Sequence, residues 1–148
     1  MIIRTISDVV HGRPFVSVGP WETVRTACDR LNAADVGAVC VLDGDRLVGI
    51  LSENDVIRRA IAQGRPTSET AVDQIMTPDP VTVDQSVSLS DAMQIMLRGA
   101  FRHLPVMAAG RPVNMLSMRD IPTEYRLMVE CYQSYVVETP RVTQPLTI

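Results

Sequence analysis

A chain of 148 residues with 46% hydrophobic side chains and no apolar run near the roughly 18 residues of a membrane span has room for one ordinary domain, or two very small ones sharing a core, and is expected to be soluble. Its net charge of −3, with no basic stretch to neutralise a row of phosphates, excludes a general affinity for nucleic acid. Cys28, Cys40 and Cys131 form no spaced framework, and Met1-Ile2-Ile3-Arg4-Thr5-Ile6 carries no export signal, so a reducing cytoplasm is the expected location.

In chain order, Thr5 to Val10 reads as a short helical turn, ended by the breaker His11-Gly12-Arg13-Pro14. Phe15 to Val18 alternates as a short strand, and Trp21 to Ala34 has Val24, Ala27, Cys28 and Leu31 at helical spacing. Two β-rich runs, Ala38 to Leu42 and Leu47 to Leu51, flank Asp43-Gly44-Asp45-Arg46, a hairpin signal. Ser52 opens a helix carrying Val56, Ile57, Ala60 and Ile61 and ending near Gly64. After the polar segment 65–70 the order returns: a turn at Val72 to Met76, the breaker Thr77-Pro78-Asp79-Pro80, a strand Val81 to Val83, and a helix from about Ser86 to Arg98. The hairpin Leu104 to Met107 and Val113 to Leu116 comes next, and then a helix from Ser117 toward Val136. Pro122 is expected to be tolerated in its first turns, where backbone N–H groups have no intrahelical partner.

The return is an internal duplication. At an offset of 65 positions Val48, Leu51, Ser52 and Asp55 fall on Val113, Leu116, Ser117 and Asp120, and the register runs without a gap from Val16–Ala60 to Val81–Tyr125. The expected organisation is a first motif over 1–64, a linker at 65–70, a second motif over 71–136 and an irregular tail at 137–148. Copies of roughly 60 residues bury too little surface to stand alone, so the two are expected to pack sheet to sheet as one body with pseudo-twofold symmetry, an α+β fold.

The candidate chemistry lies at the duplicated corner where a strand hands over to a helix. Ser52 with Asp55, and Ser117 with Asp120, have the spacing of a capping box. An ionised Asp is also an acceptor able to take the two hydroxyls of a ribose, and free N–H groups at a helix start can face a phosphate. His11 and His103 lack the neighbours of a metal site, and no nucleophile motif is present, so neither a metal nor an enzymatic activity is expected. Trp21 and the methionines Met93, Met96, Met115 and Met118 read as core or interface packing.

The element order, with Gly37-Ala38-Val39-Cys40-Val41, Leu47-Val48-Gly49-Ile50-Leu51 and Ser52-Glu53-Asn54-Asp55, resembles a cystathionine β-synthase (CBS) domain. Arg102-His103-Leu104-Pro105-Val106 and Ser117-Met118-Arg119-Asp120 resemble a second, making a tandem CBS pair, or Bateman module, over nearly the whole chain. The second copy departs from the pattern at Asn114-Met115, where the family usually has Gly-Ile. The resemblance implies an adenine slot formed by His11 to Val16 with Gly37, Ala38 and Val39, and another by Thr77, Pro80 and Val81 with Arg102, His103 and Leu104. Arg102 and His103 suit a phosphate, and Arg58 and Arg59 are further candidates. It also implies a homodimer, formed here by a final helix with Tyr125, Met128, Val129, Tyr132 and Tyr135 on one face. The expected function is a regulatory module that binds AMP, ADP or ATP as a ligand rather than as a cofactor, and modulates its own dimer or an unidentified regulated protein. The rival readings are a ligand-free scaffold, or a binder of S-adenosylmethionine or NAD.

Overall fold

The computed structural model describes residues 4–138. Each copy supplies a short leading helical segment, a strand, a helix, a hairpin and a closing helix. In the first these are α1 (Ile6–Val10), β1 (Ser17–Val18), α2 (Val24–Ala34), β2 (Ala38–Asp43) and β3 (Arg46–Ser52). The closing helix α3 begins as Glu53–Asp55 and continues as a π-helical stretch, Val56–Ile61. The second begins with a 3-10 turn (Val72–Gln74) and β4 (Thr77–Pro78), followed by β5 (Val83–Asp84), α4 (Leu89–Gly99), β6 (His103–Ala108) and β7 (Arg111–Ser117). A 3-10 turn (Met118–Asp120) and α5 (Thr123–Glu138) complete it. The two sheets, ordered β1-β2-β3-β4 and β5-β6-β7, meet where β2 and β3 touch β7.

The duplication extends to local devices. Thr23 and Ser88, one offset apart, cap α2 and α4 by accepting from the backbone N–H three residues on, satisfying donors that a helix start leaves free. Both helices end on a left-handed residue, Asp35 at φ 52° and Ala100 at φ 55°. Both hairpins carry an irregularity at the same place, between Val41 and Leu42 and between Val106 and Met107.

Two apolar cores form, and each contains an element from the other copy. Ile6 and Val10 of α1 are buried with Leu89, Met93, Leu104 and Leu116 of the second copy. Val72 and Ile75 are buried with Val24, Leu31, Val39 and Leu51 of the first. Backbone bonds fix the exchange symmetrically: Ile6 N donates to Val87 O and Val72 N to Glu22 O, each at 2.9 Å. The expected linker is held along the start of α2, where Val24 N donates to Thr70 O (2.9 Å) and Arg25 N to Thr67 O (3.0 Å). Neither copy has a complete core without the segment that precedes the other.

Several expectations are corrected. The final helix does not begin at Ser117. Ile121, immediately before Pro122, sits at φ −83°, ψ 123°, the extended conformation that a following proline ring favours, so the 3-10 turn stops and α5 starts afresh at Thr123. Ile57 and Ile61, expected on the packed face of α3, are exposed, and only Val56 and Ala60 reach the core. Trp21 is 67% exposed and lies against Gly19, so of its two expected places, core or interface, the chain's own core is excluded, whereas Met93 and Met96 are buried. The side chains of Val129, Tyr132 and Tyr135, and the tail from 139 onward, lie outside the described residues.

If α1 completes the second core, Ile6→Ala removes a fully buried side chain far in sequence from that core and destabilises the whole protein by about 2–4 kcal/mol in urea unfolding. A loss below about 1 kcal/mol, within the range of surface substitutions and small core trims, would show α1 to be dispensable.

Candidate functional site

At each corner the last residue of the strand also caps the helical turn that begins there. Ser52 and Ser117 have extended backbone, and the carboxylate three residues on turns back to the cap's own N–H. Ser52 N donates to Asp55 Oδ2 at 3.0 Å, and Ser117 N donates to Asp120 Oδ2 at 2.8 Å. One oxygen of each carboxylate is thus committed to the fold, and Oδ1 is left for another partner. The two side chains are each 13% exposed, so both sit in the wall of the protein rather than in bulk solvent.

Both corners open into a single cavity of about 1290 Å³ between the two copies. Of the residues singled out from the sequence, Ser52, Asp55, Ser117 and Asp120 line it, together with Gly37, Ala38 and Val16. Thr77, Arg102 and His103 do so as well. Three others do not. Pro80 lines a separate, shallower cleft of about 580 Å³ between the hairpin turns, with Arg46 and Arg111, and Val81 is 47% exposed away from the cavity. Arg58 is exposed and outside the lining; its neighbour Arg59 is the one near a corner, with Nε 3.8 Å from Asp55 Oδ1. The wider winding of a π-helix sets the residue four positions on, rather than three, over Asp55.

Each corner is approached by the leading segment of the opposite copy. Thr77 and Pro78 of β4 pair with Ile50 and Gly49 beside the Asp55 corner. Gly49 makes this possible, since a Cβ there would lie 2.5 Å from Met76 Sδ and 2.9 Å from Thr77 O. At the Asp120 corner Asn114 occupies the matching position, and among the described residues no strand pairs with β7 on that side. Instead the buried Asn114 amide reaches across, Nδ2 donating to Arg13 O (3.3 Å) and Val10 O (3.5 Å), while Oδ1 accepts from Met115 N at 2.8 Å. Arg13, held there, places Nη1 2.8 Å from Asp120 Oδ1. The sequence reading paired segments within a copy; Val16 does stay beside its own copy's β2 and lines the cavity with Gly37 and Ala38, while Arg13 of the same segment reaches the other copy's carboxylate.

From the sequence Arg13 entered a candidate site only within the His11–Val16 adenine segment, and Asn114 was not selected as a site residue. Arg13 stood inside a breaker, and only its contact across 107 positions gives it a role. Asn114 did leave a signal, as the departure from Gly-Ile. His103 is half-buried on the floor of the cavity, with Nε2 3.2 Å from where a Cβ on Gly37 would stand. Burial holds its pKa below the ordinary 6.5, with Glu53 and Asp120 opposing that shift and Arg102 and Arg119 adding to it. Burial pushes the Cys40 thiol up to about 12, so it is an inert core residue. Among the described residues no group of three or more His, Cys, Asp or Glu side chains is gathered to hold a metal ion, and no helix is long and apolar enough to cross a membrane.

Two copies of one α/β unit, packed so that their strand-to-helix corners share a cavity, define a CBS pair. A family model for the CBS domain matches the chain twice, over residues 6–62 and 72–124, and the chain belongs to the CBS-domain family. It is similar to CBS domain-containing protein CBSCBSPB2 of Arabidopsis thaliana, 35% identical over 104 residues, 70% of this chain and 19% of that one. It is also similar to the mitochondrial CBSX3 of the same organism, 33% identical over 128 residues, 79% of this chain and 62% of that one, so it spans less than two thirds of either relative. Among solved structures it resembles the CBS domain protein PAE2072 from Pyrobaculum aerophilum complexed with AMP, with a TM-score of 0.74 and 28% identity, covering 88% of this chain and 99% of that one. The structure of CBSX2 in complex with AMP gives a TM-score of 0.65 at 26% identity, covering 85% and 98%.

Proposed function

We propose that this CBS pair is a regulatory module that binds an adenine nucleotide, AMP, ADP or ATP, in the cavity between its copies and thereby alters its own dimer or a partner protein. The observation that carries the reading is the pair of half-committed carboxylates in one cavity. A ribose diol needs an acceptor that does not move, and a carboxylate tied by Oδ2 to the corner presents Oδ1 in a fixed direction. Arg102, Arg119 and His103, all lining the cavity, are the groups available to a phosphate. That PAE2072 and CBSX2 are known as AMP complexes supports the ligand class. The chemistry asked of these residues is recognition, with no bond made or broken.

Regulation requires that the ligand prefer one arrangement of the copies over another. A cavity walled by both copies meets that requirement, because a ligand touching both is sensitive to their relative position. We place the dimer surface on α3 and α5, which leave the large apolar side chains Ile57 (55%), Ile61 (62%), Leu127 (54%) and Met128 (61%) exposed.

Thermal unfolding with an AMP, ADP and ATP series tests the ligand: the transition should rise with nucleotide concentration. Asp120→Asn, which keeps the shape of the side chain and loses its charge, should weaken binding at that corner by about 1–3 kcal/mol in calorimetry. A transition indifferent to all three nucleotides would leave a paired scaffold. Light scattering tests the dimer independently: a mass near twice 16.3 kDa at micromolar concentration is expected, and a mass near one chain contradicts it.

A further inference from the structure

The two corners are built alike, and two of the positions at which they differ act together on the carboxylate. Where the first copy has Gly49, the second has Asn114, and where the leading segment of the second copy has Pro78, that of the first has Arg13, each pair one offset of 65 apart. The result is a difference in what the outward oxygen of each carboxylate already holds. Asp120 Oδ1 accepts from Arg13 Nη1 at 2.8 Å. Asp55 Oδ1 has Arg59 Nε at 3.8 Å, beyond hydrogen-bond reach. Arg59 is kept at that distance because its Nη1 donates to Met76 O at 3.1 Å and Ile75 O at 3.3 Å.

Arg13 is also placed rather than free. Gly12 at φ 76° turns the chain, Arg13 N donates to Val10 O at 3.1 Å, and the Asn114 amide holds the Arg13 carbonyl. Pro14 then restricts Arg13 to extended backbone.

We infer that Arg13 is a built-in competitor for Asp120, occupying the carboxylate oxygen that a ribose diol would need, so that a nucleotide fills the Asp120 corner only when the guanidinium is displaced. The inference rests on the nucleotide reading and adds the residue that opposes filling of the Asp120 corner. The competition is modest. With 42% of the Arg13 side chain in solvent, the pair is screened, and displacement weakens ligand binding by about two- to fivefold rather than abolishing it.

Calorimetry with AMP on five proteins tests this: the wild type, Asp55→Asn, Arg13→Ala, and Arg13→Ala or Arg13→Gln combined with Asp55→Asn. The wild type should show two sites, one of them weakened in Asp55→Asn. In the Asp55→Asn background Arg13→Ala should tighten the remaining site about two- to fivefold, and Arg13→Gln, which keeps bulk without charge, should tighten it as well. Weaker or unchanged binding on removing Arg13, with the wild type binding at both corners, overturns the competitor role alone and leaves the nucleotide reading intact. A wild type that takes no AMP, ADP or ATP overturns both.

Discussion

A carboxylate with one oxygen bound to the backbone and the other turned outward is the constraint on which this protein's architecture converges. An aspartate three residues beyond the end of a strand can reach the N–H of the residue that caps the next turn, and in doing so it loses the freedom a surface side chain would have. A carboxylate arrested in this way is a better acceptor for a rigid diol, because the cost of ordering it has been met in folding. In the proposed nucleotide reading, structural and recognition roles are divided between two atoms of one group, Oδ2 and Oδ1. The same division occurs twice, at Asp55 and at Asp120, since duplication copied the whole corner from strand end to turn start.

What brings the two corners together is the exchange of short leading segments. α1 completes the core of the second copy, and the stretch Val72 to Ile75 completes that of the first. Exchange converts two units of marginal size into one folded body and also sets which side chains face which carboxylate. Because the leading segment of each copy runs past the corner of the other, each half of the cavity is lined by both copies. Sensitivity to the relative position of the copies is then a property of the connectivity.

The duplication carried most of the fold in plain view. Val48, Leu51, Ser52 and Asp55 recurring at Val113, Leu116, Ser117 and Asp120 located both corners, and alternating runs around Asp43-Gly44 located the first hairpin. The exchange was not legible, because periodicity reports which face of a segment is apolar and says nothing of which core it enters. Pro122 was visible, yet its effect depends on the residue before it: Ile121 turns extended, and the last helix starts later than spacing alone implies. The pairing of Arg13 with Asp120 spans 107 positions and leaves no local pattern. Arg58 and Arg59 were indistinguishable in sequence, and only the π-helical winding of α3 separates them. Asn114 is the instructive case. A break in a repeated pattern marked a buried side chain that makes the two halves of the cavity unlike.

The claim on which this account rests is that a nucleotide sugar is held by the outward oxygen of a carboxylate whose other oxygen belongs to the fold. The most direct measurement is the structure of the protein crystallised with AMP. The account predicts ribose hydroxyls within about 3 Å of Asp55 Oδ1, with the bond from Ser52 N to Asp55 Oδ2 retained. A ribose seated away from both aspartates, or an Asp55 side chain swung off its corner to meet the ligand, would contradict it.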